Sequence, residues 1–280
     1  MGIDTIGISN DESAANALVG TNDGTWPLES IDSVSFLVSP FSTGQYAVEA
    51  CIEQAGFDAA SATYEGFTSQ GDILNKLANQ SMPMYSGLWA PNTYRLLESE
   101  TPAQILCTGQ DASAIIPGAM IVNEAFATDN PDVVAKVLAG WLRGIEFIKK
   151  ADNRERVIEY IEEFYGKYDV SISKAAMELE IDTRPLYGLE EQVAIMASDA
   201  KTWFTDVATF LEANGQLATG IPEASQYVND QYLQAILQDE SLKEFAMGSE
   251  DDEDSSSPLH LTATTGTLIG VCTMLVVTMA

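Results

Sequence analysis

An α/β fold with a helical second half is predicted by three observations. Apolar strand-like runs alternate with helical periodicity from Ile3 to about residue 129, the order that builds a parallel or mixed sheet flanked by helices. From Pro131 onward the apolar spacing is helical almost to residue 237. The chain of 280 residues is 46% hydrophobic and 9% aromatic, enough apolar material for one large domain or two lobes with real cores.

Residues 3–20 hold an apolar strand-like start, a polar SNDES turn and the run AANALVG. Residues 21–33 are turn-rich, with a short helical turn expected at Pro27–Ile31. VSFLV is a strand that ends before Pro40. Tyr46, Val48, Ile52 and Ala55 then recur at helical spacing until Gly56, with Ser42 or Thr43 as the N-cap. SATYEGF, residues 61–67, reads as a second strand, and a helix starts near Ser69 with Ile73, Leu74, Leu77 and Ala78 on one face. PMYSGLWAP, residues 83–91, is an apolar strand into a turn, and NTYRLLESE looks helical. AQILCT and GAMIVNEAFA are further strand-like runs. Asn130 caps a long amphipathic helix that has Pro131 at its first position. Helices follow at 152–166, 171–180 and 189–213, and SQYVNDQYLQAIL is another.

The 42 acidic against 13 basic residues give a net charge of −29, and only five of the acids lie in the run EDDED at 250–254. Such a surface repels nucleic acid and anionic membrane, and there is no basic patch. No acidic cluster has calcium-loop spacing, no cofactor is expected, and neither a phosphate-loop lysine motif nor a G-x-G-x-x-G is present. The only histidine, His260, is in the tail, which removes histidine triads and histidine metal sites from the folded body. Cys51 and Cys107 read as buried small hydrophobes, or as a disulfide pair if the compartment is oxidising; Cys272 lies in the terminal apolar segment.

The two ends conflict. After EDDEDSSSP and LHLTATT, the apolar run GTLIGVCTMLVVTMA ends the chain, shorter than a comfortable membrane span of ~20 residues. Ser255, Ser256 and Ser257, a short spacer and this tail match a GPI-attachment signal; a tail anchor and a buried C-terminal strand are the alternatives. The N-terminus, MGIDTIGISNDES, has neither a basic nor an apolar signal region, so a secretion signal is not expected in this chain.

The order FLVSPFSTGQYAVEACIEQAGFD, then a strand ending in LWAP, then GAMIVNEAFATDNPDVVAKVLAGWLRGIEFI resembles type II periplasmic substrate-binding proteins. The group is that of nitrate, aliphatic-sulfonate and taurine binding proteins, related to thiamine-precursor synthesis domains. Phe126, Pro131, Val133 and Val134 match its F-x-x-x-x-P-x-V-V phrase, and ATFLEANGQLATGIPEASQYVNDQYL is similar to its closing segment. The resemblance runs from about residue 3 to 236. It implies a two-lobe periplasmic-binding-protein-like fold, with lobe one incomplete because the family's opening strands would precede Ile3. The expected division is 1–35 as hinge and crossover remainder of lobe one and 36–125 as lobe two. The helical return segment is 126–247, the acidic serine linker 248–258, and the hydrophobic anchor signal 259–280.

Ser42, Thr43, Gln45 and Tyr46 match ligand-facing family positions, at a helix N-terminus whose free N–H groups and dipole suit an anion. Plain helix capping explains them equally well. Trp89 is expected to be either a stacking wall of the cleft or a core tryptophan under the hinge. Asn10 and Glu12 fall on the hinge-side turn. Thr183 and Arg184 fall near a cleft segment, where the arginine either pairs with an anion or is a surface turn residue. Gly118 stands at or beside the position where taurine binders carry an amine-holding aspartate, which argues against taurine itself.

The resemblance implies a non-enzymatic, extracellular, membrane-anchored protein that captures a small polar or anionic ligand between two lobes, alongside a membrane permease or surface partner. One alternative is a degenerate cell-surface scaffold without ligand. The other is a thiamine-pyrimidine synthesis-type enzyme, against which the absence of histidine from the body argues.

Overall fold

The computed structural model describes residues 2–168 and 170–248. Its strands are β1 (Ile3–Asp11), β2 (Asn16–Thr21), β3 (Ser35–Val38), β4 (Thr63–Gly66), β5 (Met84–Trp89), β6 (Ala103–Thr108) and β7 (Pro117–Asn123). Its helices are α1 (Thr43–Gln54), α2 (Gln70–Ala78), α3 (Asn92–Leu97), α4 (Glu124–Asp129), α5 (Pro131–Lys149) and α6 (Arg154–Gly166). They continue with α7 (Lys174–Asp182), α8 (Leu189–Ala197), α9 (Ala200–Ala213), α10 (Gln231–Gln238) and α11 (Glu240–Met247).

One lobe is a five-stranded mixed sheet in the order β4-β3-β5-β2-β6. β3 runs parallel to β4 and β5, and β2 is antiparallel to β5 and β6. Alternation along the strands sends Leu18, Phe36 and Val38 to one face, under α1. Ala17, Val19 and Leu37 go to the other, with Ile73 and Leu77 of α2 and Leu96 of α3. A disulfide joins Cys51 of α1 to Cys107 of β6, with 6.1 Å between the Cα atoms. The other lobe pairs β1 with β7 antiparallel. Ile6 and Ile8 of β1 pack there with Leu138 and Leu142 of α5, Leu189 and Met196 of α8, and Leu233 and Ile236 of α10.

The chain passes between the lobes twice, at 12–15 and 109–116, and the two passages are bonded together by Glu12 N–H to Ile116 O (2.8 Å) and Gln110 N–H to Ser13 O (3.2 Å). The buried Asp11 carboxylate ties both, accepting from Ser13 N–H (2.9 Å), Ser13 Oγ (2.8 Å) and Ile116 N–H (3.2 Å).

Several elements differ from the sequence reading. No helical turn forms at Pro27–Ile31, where the segment instead lays Trp26, Leu28 and Ile31 against the sheet core. The run GAMIVNEAFA is a strand only to Asn123, whose side chain caps α4 by accepting from Phe126 N–H (3.0 Å). Pro131 does open α5, but the Asn130 amide closes α4 by donating to Phe126 O (3.0 Å) and makes no cap for α5. The span 189–213 is two helices; they part at Ser198, whose hydroxyl donates back to Ala194 O (2.9 Å). In 225–237 the helix begins only at Gln231. α11 has no counterpart in the sequence reading; Asp239 caps it through Ser241 and Leu242 N–H.

Ser255, Ser256, Ser257 and the 259–280 anchor signal lie outside the described residues. No helix among the described residues is long and apolar enough to cross a membrane.

Candidate functional site

The parallel strands β4, β3 and β5 end on one edge of the sheet and feed the first turns of α2, α1 and α3. In sheets of this kind ligands settle beyond the carboxyl ends of the strands. At β3 the turn is tight. Phe41 takes a left-handed backbone (φ 64°) and is 37% exposed. Ser42 is the N-cap: its Oγ accepts from Gln45 N–H (3.2 Å) and donates to Ser39 O (2.7 Å). Gln45 reaches back, its Oε1 accepting from Phe41 N–H (2.7 Å). These bonds leave the N–H groups of Thr43 and Gly44 without a partner among the described residues.

A close backbone approach seats this turn on β5. A Cβ at Gly44 would lie 3.1 Å from the Trp89 ring and 3.2 Å from the Gly87 carbonyl carbon, and one at Gly87 would lie 2.5 Å from Gly44 O. Only glycine at both positions lets α1 come so near. Trp89 is therefore half-buried beside the open N–H groups, its own N–H held by Gln70 Oε1 (3.2 Å).

α1 faces the other lobe directly. Gln45 Nε2 donates to Glu49 Oε1 (2.7 Å) and to Asn214 Oδ1 (2.9 Å), at the end of α9. Asn214 Nδ2 reaches Glu49 (3.3 Å), and the Tyr46 and Phe210 rings stand 5.1 Å apart. Burial, with the charges of Asp206 and Glu53, pushes the Tyr46 phenol up to about 12, so it stays a neutral donor. Burial also raises the Glu49 carboxyl, against the lowering pull of the Gln45 and Asn214 amides.

The remaining sequence candidates form a second cluster at the crossover. Ser9 Oγ donates to Asn10 Oδ1 (2.6 Å) and Gly118 O (3.1 Å), and Asn10 Nδ2 donates to Glu12 Oε1 (3.3 Å). A Cβ on Gly118 would fall 2.1 Å from Asn10 Oδ1, so the Asn10 amide fills the space a side chain at 118 would need. Arg184 is only 16% exposed and pairs with Glu180 (2.7 Å) and Glu12 (3.5 Å). Burial alone would lower its guanidinium; the two carboxylates outweigh that and raise it. Thr183 donates to Leu179 O (2.7 Å) and meets the Tyr94 hydroxyl (2.8 Å), joining α7 to α3 of the other lobe. The structure thus gathers the candidates into two groups: Ser42, Thr43, Gln45, Tyr46 and Trp89 at the α1 turn, and Asn10, Glu12, Gly118, Thr183 and Arg184 at the crossover.

Sequence reasoning missed Asp11, Asn214 and Phe210. Asp11 stands in the polar SNDES turn, where an Asp two residues before a serine is a recognisable side-chain turn. Asn214 and Phe210 carry no local signal, because their partners are more than 160 residues away. Among the described residues no group of histidine, cysteine and acidic side chains is arranged to hold a metal ion.

No family model matches the sequence, and no curated protein matches it. Solved structures do. The periplasmic aliphatic sulphonate binding protein SsuA from Escherichia coli matches with a TM-score of 0.62 and 14% identity, over 80% of this chain and 68% of its own. The alkanesulfonate-binding protein SsuA from Xanthomonas axonopodis pv. citri, bound to MOPS, matches with a TM-score of 0.57 and 15% identity, over 80% and 73%. A cysteine-to-serine mutant of DSZB in complex with biphenyl-2-sulfinic acid matches with a TM-score of 0.57 and 13% identity, over 84% and 79%. At such identities the likeness speaks for architecture: the chain has the two-lobe, mixed α/β fold of the periplasmic binding proteins, as seen in the sulfonate-binding group.

Proposed function

We propose that the chain is a non-enzymatic solute-binding protein that holds a small anionic organic ligand, sulfonate- or carboxylate-like, between its lobes. The observation that carries this reading is the pair of N–H groups on Thr43 and Gly44 that have no partner among the described residues. They sit at the positive end of a twelve-residue helix, at the turn that packs beside Trp89. The Thr43 hydroxyl supplies a further donor. The neighbours supporting it are mostly binding proteins. DSZB is the exception to weigh, but here both described cysteines are spent in a disulfide, which leaves no free thiol among the described residues. The same disulfide favours an oxidising compartment outside the cytosol, where a permease or other surface protein would be the partner. With Asn10 occupying the space beside Gly118, the crossover has no room for the amine-holding aspartate of a taurine site.

Thr43→Pro tests the site. Proline is at home in the first helical position, and the extended backbone of Ser42 (φ −85°, ψ 167°) suits a following proline. The variant removes one N–H and the hydroxyl without disturbing the helix. A screen by thermal shift and calorimetry against alkanesulfonates, nitrate and carboxylates is expected to find one class that raises the melting temperature. Thr43→Pro then weakens it by about 10- to 100-fold, as loss of a charge-assisted hydrogen bond implies. A ligand bound equally well by the variant overturns the site.

A second reading, a surface scaffold that has lost its ligand, is favoured by one observation. The polar arms of Gln45 and one face of Tyr46 are taken by this chain's own Phe41, Glu49, Asn214 and Phe210. Silence across the whole screen would select it.

A further inference from the structure

Among the described residues, the lobe built on α5, α8 and α10 has a sheet of two strands, and one of its edges is open. β1 spends its outer edge on this chain: Thr5 N–H donates to Tyr227 O (2.6 Å), Thr5 O accepts from Asn229 N–H (2.9 Å), and Ser9 O accepts from Tyr187 N–H (2.8 Å). β7 pairs with β1 alone. Thr5 lies opposite Ile121 and turns both its backbone groups away from β7, so these two residues share no hydrogen bond. The Ile121 N–H and C=O therefore point out of the free edge. Alternation sends the Ala119 groups and the Asn123 N–H the same way. None of them has a partner among the described residues outside α4. A two-stranded ribbon is a marginal sheet, and an open edge is a template for a further strand.

The side chains agree with this. Met120 and Val122 pack on the core around Ile6 and Ile8. Ala119 and Ile121 fall on the opposite face, where Ile3 is 51% exposed and Ile121 is half-buried. Residues 112–123 carry no charge in a chain whose net charge is −29. That charge keeps copies of the chain apart over most of the surface. Along β7 two copies can meet without bringing like charges together.

We propose that β7 pairs antiparallel with β7 of a second copy of this chain across a two-fold axis, joining the ribbons into one sheet in the order β1-β7-β7-β1. Such a contact needs one self-complementary patch, and an antiparallel strand edge is one. The open groups set the register. With the axis at Ile121, the Ile121 N–H donates to the other copy's Ile121 O, and the Asn123 N–H to its Ala119 O, each bond formed twice. An axis at Met120 would set Asn123 against Pro117, which has no N–H to give. With the axis at Ile121 the two Ile121 side chains stand together. The two Glu124 residues are then about 20 Å apart along the strands, beyond the screening length of about 10 Å at 0.1 M salt.

The test is sedimentation velocity and amide hydrogen exchange on the full chain. A contact this short predicts a dimer with a dissociation constant of about 10–100 µM, within reach of samples from about 1 to 300 µM. Ala119→Pro removes an outward N–H and keeps the bonds to β1, and Ile121→Lys sets two charges on the axis. Each is expected to hold the chain monomeric at the highest concentration. Ile105→Lys, on the edge strand β6 of the other sheet, is expected to leave the dimer as it is. Cysteines read the register in a Cys272→Ser background. Ile121→Cys should cross-link to its own mate across about 5.5 Å, and Ala119→Cys, about 13 Å from its mate, should not. A chain that stays monomeric throughout overturns the proposal, as does equal cross-linking at both positions. So does a dimer that survives in folded Ala119→Pro and Ile121→Lys proteins or is lost in Ile105→Lys, since association then lies elsewhere. Protection of the Ile121 N–H from exchange in the monomer also overturns it, because the chain's own residues would then fill the edge.

Discussion

Removing the 51–107 bridge is expected to cost this protein a large part of its stability. The two cysteines are separated by 56 residues, so the bridge closes a long loop in the unfolded chain. The chain-entropy relation gives a loss of about 14 cal/mol/K for such a loop, or about 4 kcal/mol at 25 °C. A typical domain has only about 5–15 kcal/mol to lose. The native side adds to it, because Cys51 is fully buried and Cys107 nearly so, and Cys51→Ala/Cys107→Ala leaves small voids between α1 and β6. With a urea m-value of about 3 kcal/mol/M, the midpoint should fall by about 1.4 M. Urea unfolding followed by both fluorescence and circular dichroism reads the shift and checks that the two lobes unfold together. Counting the alkyl groups on protein alkylated in denaturant at harvest supplies the control: with 3 cysteines in the sequence, the full bridged chain takes up one, at Cys272. Three reactive thiols in unreduced protein would refute the bridge. A midpoint shift under about 0.3 M in bridged protein would refute the claim that it works by restraining the unfolded chain.

Three further outcomes test the cleft. Ser42→Ala removes the α1 cap, leaving Gln45 N–H unpaired, and should lower stability by about 1 kcal/mol in urea melts. Gly118→Asp forces the buried Asn10 amide from its place and should cost about 1–3 kcal/mol; Asn10→Gly in the same chain should restore most of it. Glu49→Gln tests the buried carboxyl between the lobes. Burial holds that group above its ordinary value in the native state, so between the two values the folded protein binds more protons than the unfolded one. Stability therefore falls as pH rises through that window, and urea midpoints measured from about pH 4 to 7 should fall less in Glu49→Gln than in the parent.

Most of the elements are legible because their signals are local. Ser42, Gly56 and Ser69 mark helix ends by their own chemistry, and each stands where the structure puts an end: Ser42 and Ser69 accept the N3 amide, and Gly56 takes a left-handed backbone after α1. The pattern misleads where two signals compete. Asn123 follows a strand-like run, so its cap reads as more strand; Ser198 lies in a helical pattern that its own hydroxyl interrupts. Mixed strand direction is not readable from order alone, since β2 joins β5 and β6 across distant stretches of chain. The α1 turn is legible as a capped helix start, because an N-cap is a sequence property. What stands opposite it is not. Asn214 and Phe210 are brought in by the fold, and only contacts at that range reveal which groups of the turn are already occupied.

Those contacts decide how the two readings of the protein differ physically. Contacts among the described residues that join the lobes include the Asp11 staple at the crossover, Tyr94 with Thr183 and Ser173 with Glu98 between α3 and α7, and the Gln45–Asn214 and Tyr46–Phe210 contacts between α1 and α9. The first two hold the hinge side. The third spans the side where a ligand would enter, and each of its contacts is worth about 1 kcal/mol. Together they favour the closed arrangement without any ligand. A solute bound at Thr43 and Gly44 would then spend little of its binding energy on closure, so it would bind tightly but enter and leave only when the α1–α9 contact opens. The same contact in a scaffold would have no reason to open. Gly44 and Gly87 weigh on this choice. They bring α1 close to β5 and leave two N–H groups beside Trp89 with no partner among the described residues. A lost site would be expected to have filled that space with its own side chains, as Asn10 has done at Gly118, whereas at the α1 turn the donors remain open.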